Sequence, residues 1–301
     1  MHDIANTWKF FLLTLVLPIG IANSACAAEE KHTLEYKFRM GEVIRYSVKH
    51  TTNIRTTIEG SSQEAESKSA SVKAWKVTDE LPDRVMEFVH VVEEVRMANR
   101  VPNRALTTYD SKRDKTPPPG FEQASRAVGV PLSLIRIRPT GEIVHREEKH
   151  PQPAASKDMP ITLRLPDESI AVGEQWDFTY DVDADRKSGT KMQVRTRRVC
   201  TLKSVDGDIA TIGVDYQILT PVSPFIESQL IERLTKGTVE FDMKRGRLVS
   251  QRFDADNRVL GFHGDASSMH FVSRLEERLL KPGERLARKT KKNSKSAQSA
   301  K

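Results

Sequence analysis

From Glu42 to Glu59 the chain alternates. The even positions carry Ile44, Tyr46, Val48, His50, Thr52, Ile54, Thr56 and Ile58, and the odd ones include Arg45, Lys49, Asn53, Arg55 and Glu59. A period of two marks a strand with one buried and one solvated face. At about 3.3 Å per residue this stretch would reach roughly 60 Å, against a usual strand of about five or six residues. Strands of that length twist and carry their sheet into a curve. The stretch therefore points to a large, curved antiparallel sheet.

The strand also has an echo. "RMGEVIRYSV" begins at Arg39 and "AVGEQWDFTY" at Ala171, so Gly41-Glu42 and Gly173-Glu174 stand 132 positions apart (173 − 41). With that offset Ile44, Tyr46 and Val48 fall on Trp176, Phe178 and Tyr180. Glycine suits the turn before a strand because it tolerates positive φ.

Each half continues in the same order. In the first, "SVKAWKVTD" and "RVMEFVHVVEEV" read as strands, Phe121, Ala124 and Val128 recur at helical spacing, and a hairpin turns on Pro139-Thr140-Gly141. In the second, "KMQVRTRRVCTLKSVDGD" and "IATIGVDYQI" are strands, and a helix starts at Ser223-Pro224 and closes at Gly237. A hairpin follows about Arg245-Gly246, and "SSMHFVSRLEERLL" reads as a last strand. The expected fold is mainly β, with long antiparallel strands in a curved sheet or incomplete barrel, built from two similar units with one short helix each. The units span 29–150 and 161–280, joined by a proline-rich linker over 151–160.

Residues 1–28 have the form of an export leader. Lys9 precedes the apolar run "FFLLTLVLPIGIA", and Ala25-Cys26-Ala27 fits a small-residue cleavage site. This predicts an exported protein, periplasmic or secreted. The alternative is a lipid anchor at Cys26, although Asn23 stands where an aliphatic residue is usual. Cleavage leaves Cys200 as a single cysteine, which makes no internal disulfide.

The net charge of +7 is local. From Lys281 to Lys301 there are eight Lys or Arg and one Glu, so this end alone carries +7 and residues 1–280 balance to zero (7 − 7). Rich in Lys, Ser and Ala, residues 281–301 read as a disordered basic tail suited to weak contact with an anionic envelope surface. The tail has no interleaved aromatics to stack on bases, so sequence-specific nucleic-acid binding is not expected.

Motifs for catalysis are missing: the chain has no G-x-S-x-G, H-E-x-x-H or C-x-x-C. Asp181, Asp183 and Asp185 share the spacing of calcium-loop ligands, but Arg186 stands where the glycine belongs and Met192 where the bidentate glutamate belongs. They are expected at a solvated hairpin tip, and so is "FDADN" at 253–257. His145, His150, His263 and His270 read as surface residues, His90 as a satisfied, partly buried imidazole, and Cys200 as a small buried hydrophobe. No cofactor or metal site is expected.

The aromatics Tyr46, Trp75, Phe88, Trp176 and Phe178 all fall on long strands. On the concave side of a curved sheet they would either fill the core or wall a ligand groove. They are the candidate ligand-binding residues.

With Tyr36-x-Phe38-x-x-Gly41-Glu42 and Val172-Gly173-Glu174-x-Trp176 in view, the chain resembles a group of uncharacterised exported bacterial β-rich proteins. The strand order is also similar to incomplete β-barrels of the lipoprotein-carrier type. That likeness implies a curved sheet cupping an apolar ligand, with helices plugging the mouth. The functional expectation is a non-catalytic binding protein for a lipid or other apolar small molecule. The alternative is an envelope structural or protein-interaction module without a small ligand.

Overall fold

The computed structural model describes residues 30–151 and 161–286. The leader with Cys26, nearly all of the linker and the end of the tail lie outside the described residues.

The first half contributes β1 (Lys31–His32), β2 (Val43–Ile58), β3 (Ser61–Leu81), β4 (Val85–Arg100), β5 (Thr107–Asp110), α1 (Glu122–Ala127), β6 (Pro131–Ile137) and β7 (Ile143–Glu148). The second contributes β8 (Ile170–Ala171), β9 (Gln175–Asp185), β10 (Lys191–Asp206), β11 (Ile209–Ile218), α2 (Pro224–Leu230), β12 (Lys236–Asp242), β13 (Arg247–Leu260) and β14 (Ser267–Leu279). One antiparallel sheet holds twelve of these strands in the order β7-β6-β4-β3-β2-β14-β13-β12-β11-β10-β9, with β5 beside β4. The first half runs outward from the middle and the second runs back inward, so the halves meet where β14 pairs with β2. The curved sheet does not close into a barrel.

The repeated Gly-Glu marks form matching turns. Gly41 N–H donates to Val77 O and Val77 N–H to Glu42 O; Gly173 N–H donates to Leu202 O and Leu202 N–H to Glu174 O. In each turn the glutamate carboxylate also accepts the N–H three residues back, from Arg39 and from Ala171. Both glycines have positive φ, +80° and +95°, which a side chain would strain.

The main core lies on one face at one end of the sheet. Ile44 and Tyr46 from β2, Trp75 and Val77 from β3, Phe88 from β4 and Ile135 and Ile137 from β6 share one cluster with Cys200, Leu202, Ile212, Val239 and Phe241 from β10, β11 and β12. The segment before β2 is threaded through it. Tyr36 N–H donates to Pro139 O and Lys37 N–H to Gly246 O, so this segment joins the β6–β7 and β12–β13 hairpins. The Tyr36 ring meets Phe241 edge-on at 5.3 Å, and Phe38 lies 5.9 Å from Trp75. Farther along the same face, α2 packs Ile226 and Leu230 on Val182, Ala184 and Val194. A 3-10 turn continues α2 and sets Ile231 on Ala255, Val259 and Phe271, so this unit crosses from β9–β10 to β13–β14. Beside α1, Phe121 and Val128 pack on Val92, Val95, Met97 and Tyr109.

Four expectations need correction. Gly237 does not close the second helix but lies within β12, because α2 ends at Leu230 and the 3-10 turn at Arg233. Asp181, Asp183 and Asp185 do not sit at a hairpin tip; they belong to β9, where an edge strand leaves one side open to water. "FDADN" is likewise inside β13, with Asp254 accepting from Arg252 and Arg274 and Asp256 paired with His270. Cross-strand basic partners let Asp181, Asp185, Asp254 and Asp256 sit in strands. Finally, His90 is partly buried as expected but unsatisfied, since neither ring nitrogen has a hydrogen-bond partner.

Candidate functional site

Alternation gives the sheet a second face, opposite Ile44 and Tyr46, and the β13–β14, β14–β2 and β2–β3 pairings hold it in unbroken register. Two rows of directly paired residues cross six strands there. One runs Arg96, Ala70, Lys49, Glu276, Arg252, Thr238, and the other Glu94, Val72, Ser47, Arg278, Ser250, Glu240. Above this floor lies a trough of about 1000 Å³. It sits astride the β2–β14 seam, where the two halves of the chain join.

Two walls rise from the sheet. After β14 the chain folds back over this face, held by Leu280 N–H donating to Arg45 O and by Leu280 and Leu286 packing on Val72. Arg278 ties the wall down by bonding Glu284, whose carboxyl is held at about 2 by that bond and by the Lys281 N–H. On the other side Asp110, at the end of β5, receives Arg96 and Arg113. The lining is polar and charged, with Met97, Ala70, Ala98 and Leu286 its few apolar members.

The five aromatics expected as a groove wall lie on the other face and do not line this trough. Tyr46, Trp75 and Phe88 are fully buried among the protein's own side chains. Their rings contact one another, Tyr46–Trp75 at 5.2 Å and Trp75–Phe88 at 4.9 Å. Trp176 and Phe178 are half-buried at the margin of the same cluster, and Trp176 Nε1 donates to Arg164 O at 2.9 Å. The structure therefore brings the first three together and leaves the last two at the edge.

Polar groups are set into that core. Lys73 lies over the rings of Tyr46 and Trp75, at 5.1 and 4.8 Å, and pairs with Glu277. The Tyr46 hydroxyl and Trp75 Nε1 have no hydrogen-bond partner. Burial, with the charges of Lys73 and Arg146, pushes the His90 imidazole down to about 3. Burial also pushes the Cys200 thiol up to about 12, so it is protonated at neutral pH and unsuited to nucleophilic attack. Among the described residues no three His, Cys, Asp or Glu converge as metal ligands. No described helix is long and apolar enough to cross a membrane.

Sequence reading missed the trough. Its residues are the solvated half of each alternation, which pattern analysis sets aside as surface. The available signal was the length of the strands, which holds two polar rows in line across six of them.

No protein-family model matches the chain, and no curated protein matches it. Among solved structures it is similar to lipovitellin, described for its lipid–protein interactions, at TM-score 0.44 and 11% identity over 81% of this chain and 26% of that chain. It is also similar to a DUF1329 family protein from Desulfovibrio piger, at TM-score 0.14 and 10% identity over 76% of this chain and 83% of that one. A third is OccK11 (OpdR) of Pseudomonas aeruginosa, at TM-score 0.18 and 8% identity over 82% and 98%. The chain thus spans about a quarter of the lipovitellin chain it matches.

Proposed function

We propose that this is an exported binding protein without catalytic chemistry of its own, and that it holds an amphiphilic small molecule in the trough over the β2–β14 seam. The observation that carries this reading is the trough itself. Its volume of about 1000 Å³ is at the upper end of the range for small-molecule sites. Its floor is part of a continuous sheet, which gives a bound molecule rigid support. The lining combines charged heads with the methylene stems of Lys49, Lys68, Arg96 and Arg252, and such stems cover apolar parts of a ligand while the heads meet polar ones. Export rests on the leader-like residues 1–28. On the core face, Trp176 and Phe178 are the two expected groove residues with surface left for an apolar group.

Native mass spectrometry of the protein purified from its own envelope tests the proposal. A reproducible added mass that organic extraction removes is the expected result. A bare polypeptide mass with no uptake of offered amphiphiles would sink it.

A second reading, an envelope interaction module with no small ligand, is favoured by a different observation. The core face around Tyr46, Trp75 and Phe88 is filled by the protein's own Tyr36 and Phe38, so that part of this face is closed. The bare polypeptide mass is the outcome this second reading expects.

A further inference from the structure

We propose that β9, an edge strand of the sheet, takes up an extended peptide as an added antiparallel strand, and that this peptide alternates basic with apolar residues. The site is separated from the trough by β11 and β10 and is independent of what fills the trough. The backbone of β9 is the first support. Gln229 of α2 donates from Nε2 to Asp185 O at 2.8 Å and accepts the Asp185 N–H on Oε1 at 2.9 Å. One side-chain amide thus does at that end of β9 what a neighbouring strand would do. These bonds fix the phase of the ladder. Asp185 points both backbone groups away from β10, and the pairing with β10 is unbroken from Asp185 back to Gln175. Asp183, Asp181, Thr179, Asp177 and Gln175 therefore point theirs the same way. Among the described residues none of these outward groups is hydrogen-bonded. The opposite edge of the sheet is blunted, since β7 is six residues long and its register with β6 is shifted. β9 has eleven residues, with no proline, lysine, arginine or bulge.

The side chains decide the occupant. Asp177, Asp181, Asp183 and Asp185 share the outer face of β9, and Trp176, Phe178 and Tyr180 share its core face, where all three rings are half-buried. Paired in full overlap with a second copy, β9 would set Asp177 against Asp183, and like charges directly opposite are destabilising. A strand with bases at alternate positions meets attraction instead. β10 shows the fit: Lys191 and Arg195 stand directly across from Asp185 and Asp181, at 3.1 and 3.4 Å, and Arg197 lies 3.8 Å from Asp177. Asp183 faces Gln193 and has no ion pair among the described residues. On the core face the Phe178 and Tyr180 rings stack at 6.0 Å and leave surface for the apolar residues of an added strand. Main-chain bonds then supply affinity and the alternate side chains selectivity. Gln229 ends the added strand at Asp183.

The test uses the chain from Glu29 to Lys301 and a peptide copying residues 191–201 with Cys200→Ser. Added to the edge, this peptide bonds through its copies of Gln193, Arg195 and Arg197, opposite Asp183, Asp181 and Thr179, whereas β10 itself bonds β9 through the residues between them. Two N-methylated forms separate the cases, one methylated at the copies of Gln193, Arg195 and Arg197, the other at those of Met192, Val194 and Thr196. Fluorescence anisotropy should show saturable binding of the unmodified peptide and of the second form. The first form should bind more weakly by about tenfold or more, since three donors are lost. Asp181→Asn with Asp183→Asn should weaken binding about threefold for each carboxylate, the size of a cross-strand charge pair. Thr179→Pro, which puts a ring where an outward N–H stood, should abolish it. Urea unfolding checks that each variant keeps its fold, and the N-methyl comparison decides the matter if Thr179→Pro does not. Equal binding of the two methylated forms would mean charge attraction without strand addition, and the reverse order would mean that the peptide displaces β10; either overturns the proposal. No binding of the unmodified peptide also overturns it, and self-association abolished by Thr179→Pro would then assign the edge to a second copy.

Discussion

Lys73 on β3 and Glu277 on β14 are joined by a 2.5 Å ion pair that reaches across β2, the strand between them. The pair links the two halves of the chain at their seam. Lys73 is boxed by the Tyr46 and Trp75 rings, and Gln251 Nε2 donates to the second Glu277 oxygen at 3.0 Å. The two side chains are only 15% and 5% exposed, so each charge depends on the other. Removing one partner of such a pair costs about 3–5 kcal/mol, whereas replacing both with apolar groups is often neutral. Glu277→Leu and Lys73→Met should each lower stability by about that amount, and the combination of the two should recover most of it. Urea unfolding with a double-mutant cycle measures this; additive losses would refute the coupling.

The β6–β7 hairpin tip that holds the N-terminal segment makes a second prediction, with the turn before β9 as its control. At Gly141 φ is +80°, and an added Cβ would stand 2.6 Å from both Leu163 O and the Tyr36 ring. At Gly173 φ is +95° but nothing lies within 4 Å. Gly173→Ala should cost only the strained backbone, about 1 kcal/mol. Gly141→Ala should cost clearly more, about 2–3 kcal/mol, since Tyr36 must also leave its place between the hairpin and Phe241. Equal melting shifts for the two variants would show that the segment is not held there.

Much of this fold was legible because alternation reports directly on which side chains face inward. Tyr46, Trp75, Phe88, Trp176 and Phe178 were placed on the right strands, and β2 was located to within a residue of its ends. What alternation does not report is strand order. Nothing local in β2 or β14 says that they pair, yet that one pairing merges the halves into a single sheet. Nor does alternation tell a core from a groove. The closure around Tyr46 depends on Tyr36 and Phe38, which alternate with Leu34 as in a strand but come from a segment that joins no sheet, so alternation could not say where they would dock. The aspartates of β9 and β13 were misplaced for a related reason: turn propensity is local, while their ion-pair partners come from neighbouring strands.

Cys200 offers a third test. It is fully buried between Trp176 on β9 and Val214 on β11, and its thiol is pushed up to about 12 mainly by burial. In the chain from Glu29 it is the single cysteine. Alkylation at mildly alkaline pH should be negligible in the folded protein and rapid in urea, so the rate should follow global unfolding. Fast labelling under native conditions would mean that the β9 edge opens locally.

The last prediction concerns acid. Burial first, then the charges of Lys73 and Arg146, lower His90 from an ordinary value of 6.5 to about 3. Burial likewise lowers His50, with Glu232 opposing it. A group whose pKa is depressed on folding binds its proton more readily in the unfolded chain. Its contribution to stability is therefore complete above about 6.5 and is lost as the pH falls toward the folded value. Glu42, Glu87 and Asp254 are also depressed, from ordinary carboxylate values of 4.5, 4.5 and 3.8, so their losses come mostly at lower pH. Between pH 6.5 and 4.5 the histidines should thus dominate the decline. His90 alone contributes at most about 1.4 kcal/mol per pH unit, and less to the extent that solvent reaches part of the ring. His90→Gln removes that proton, so its unfolding free energy should fall less steeply over this window than that of the unsubstituted chain. Urea titrations at several pH values measure the two slopes, and parallel curves would mean that the His90 ring is solvated in the native state.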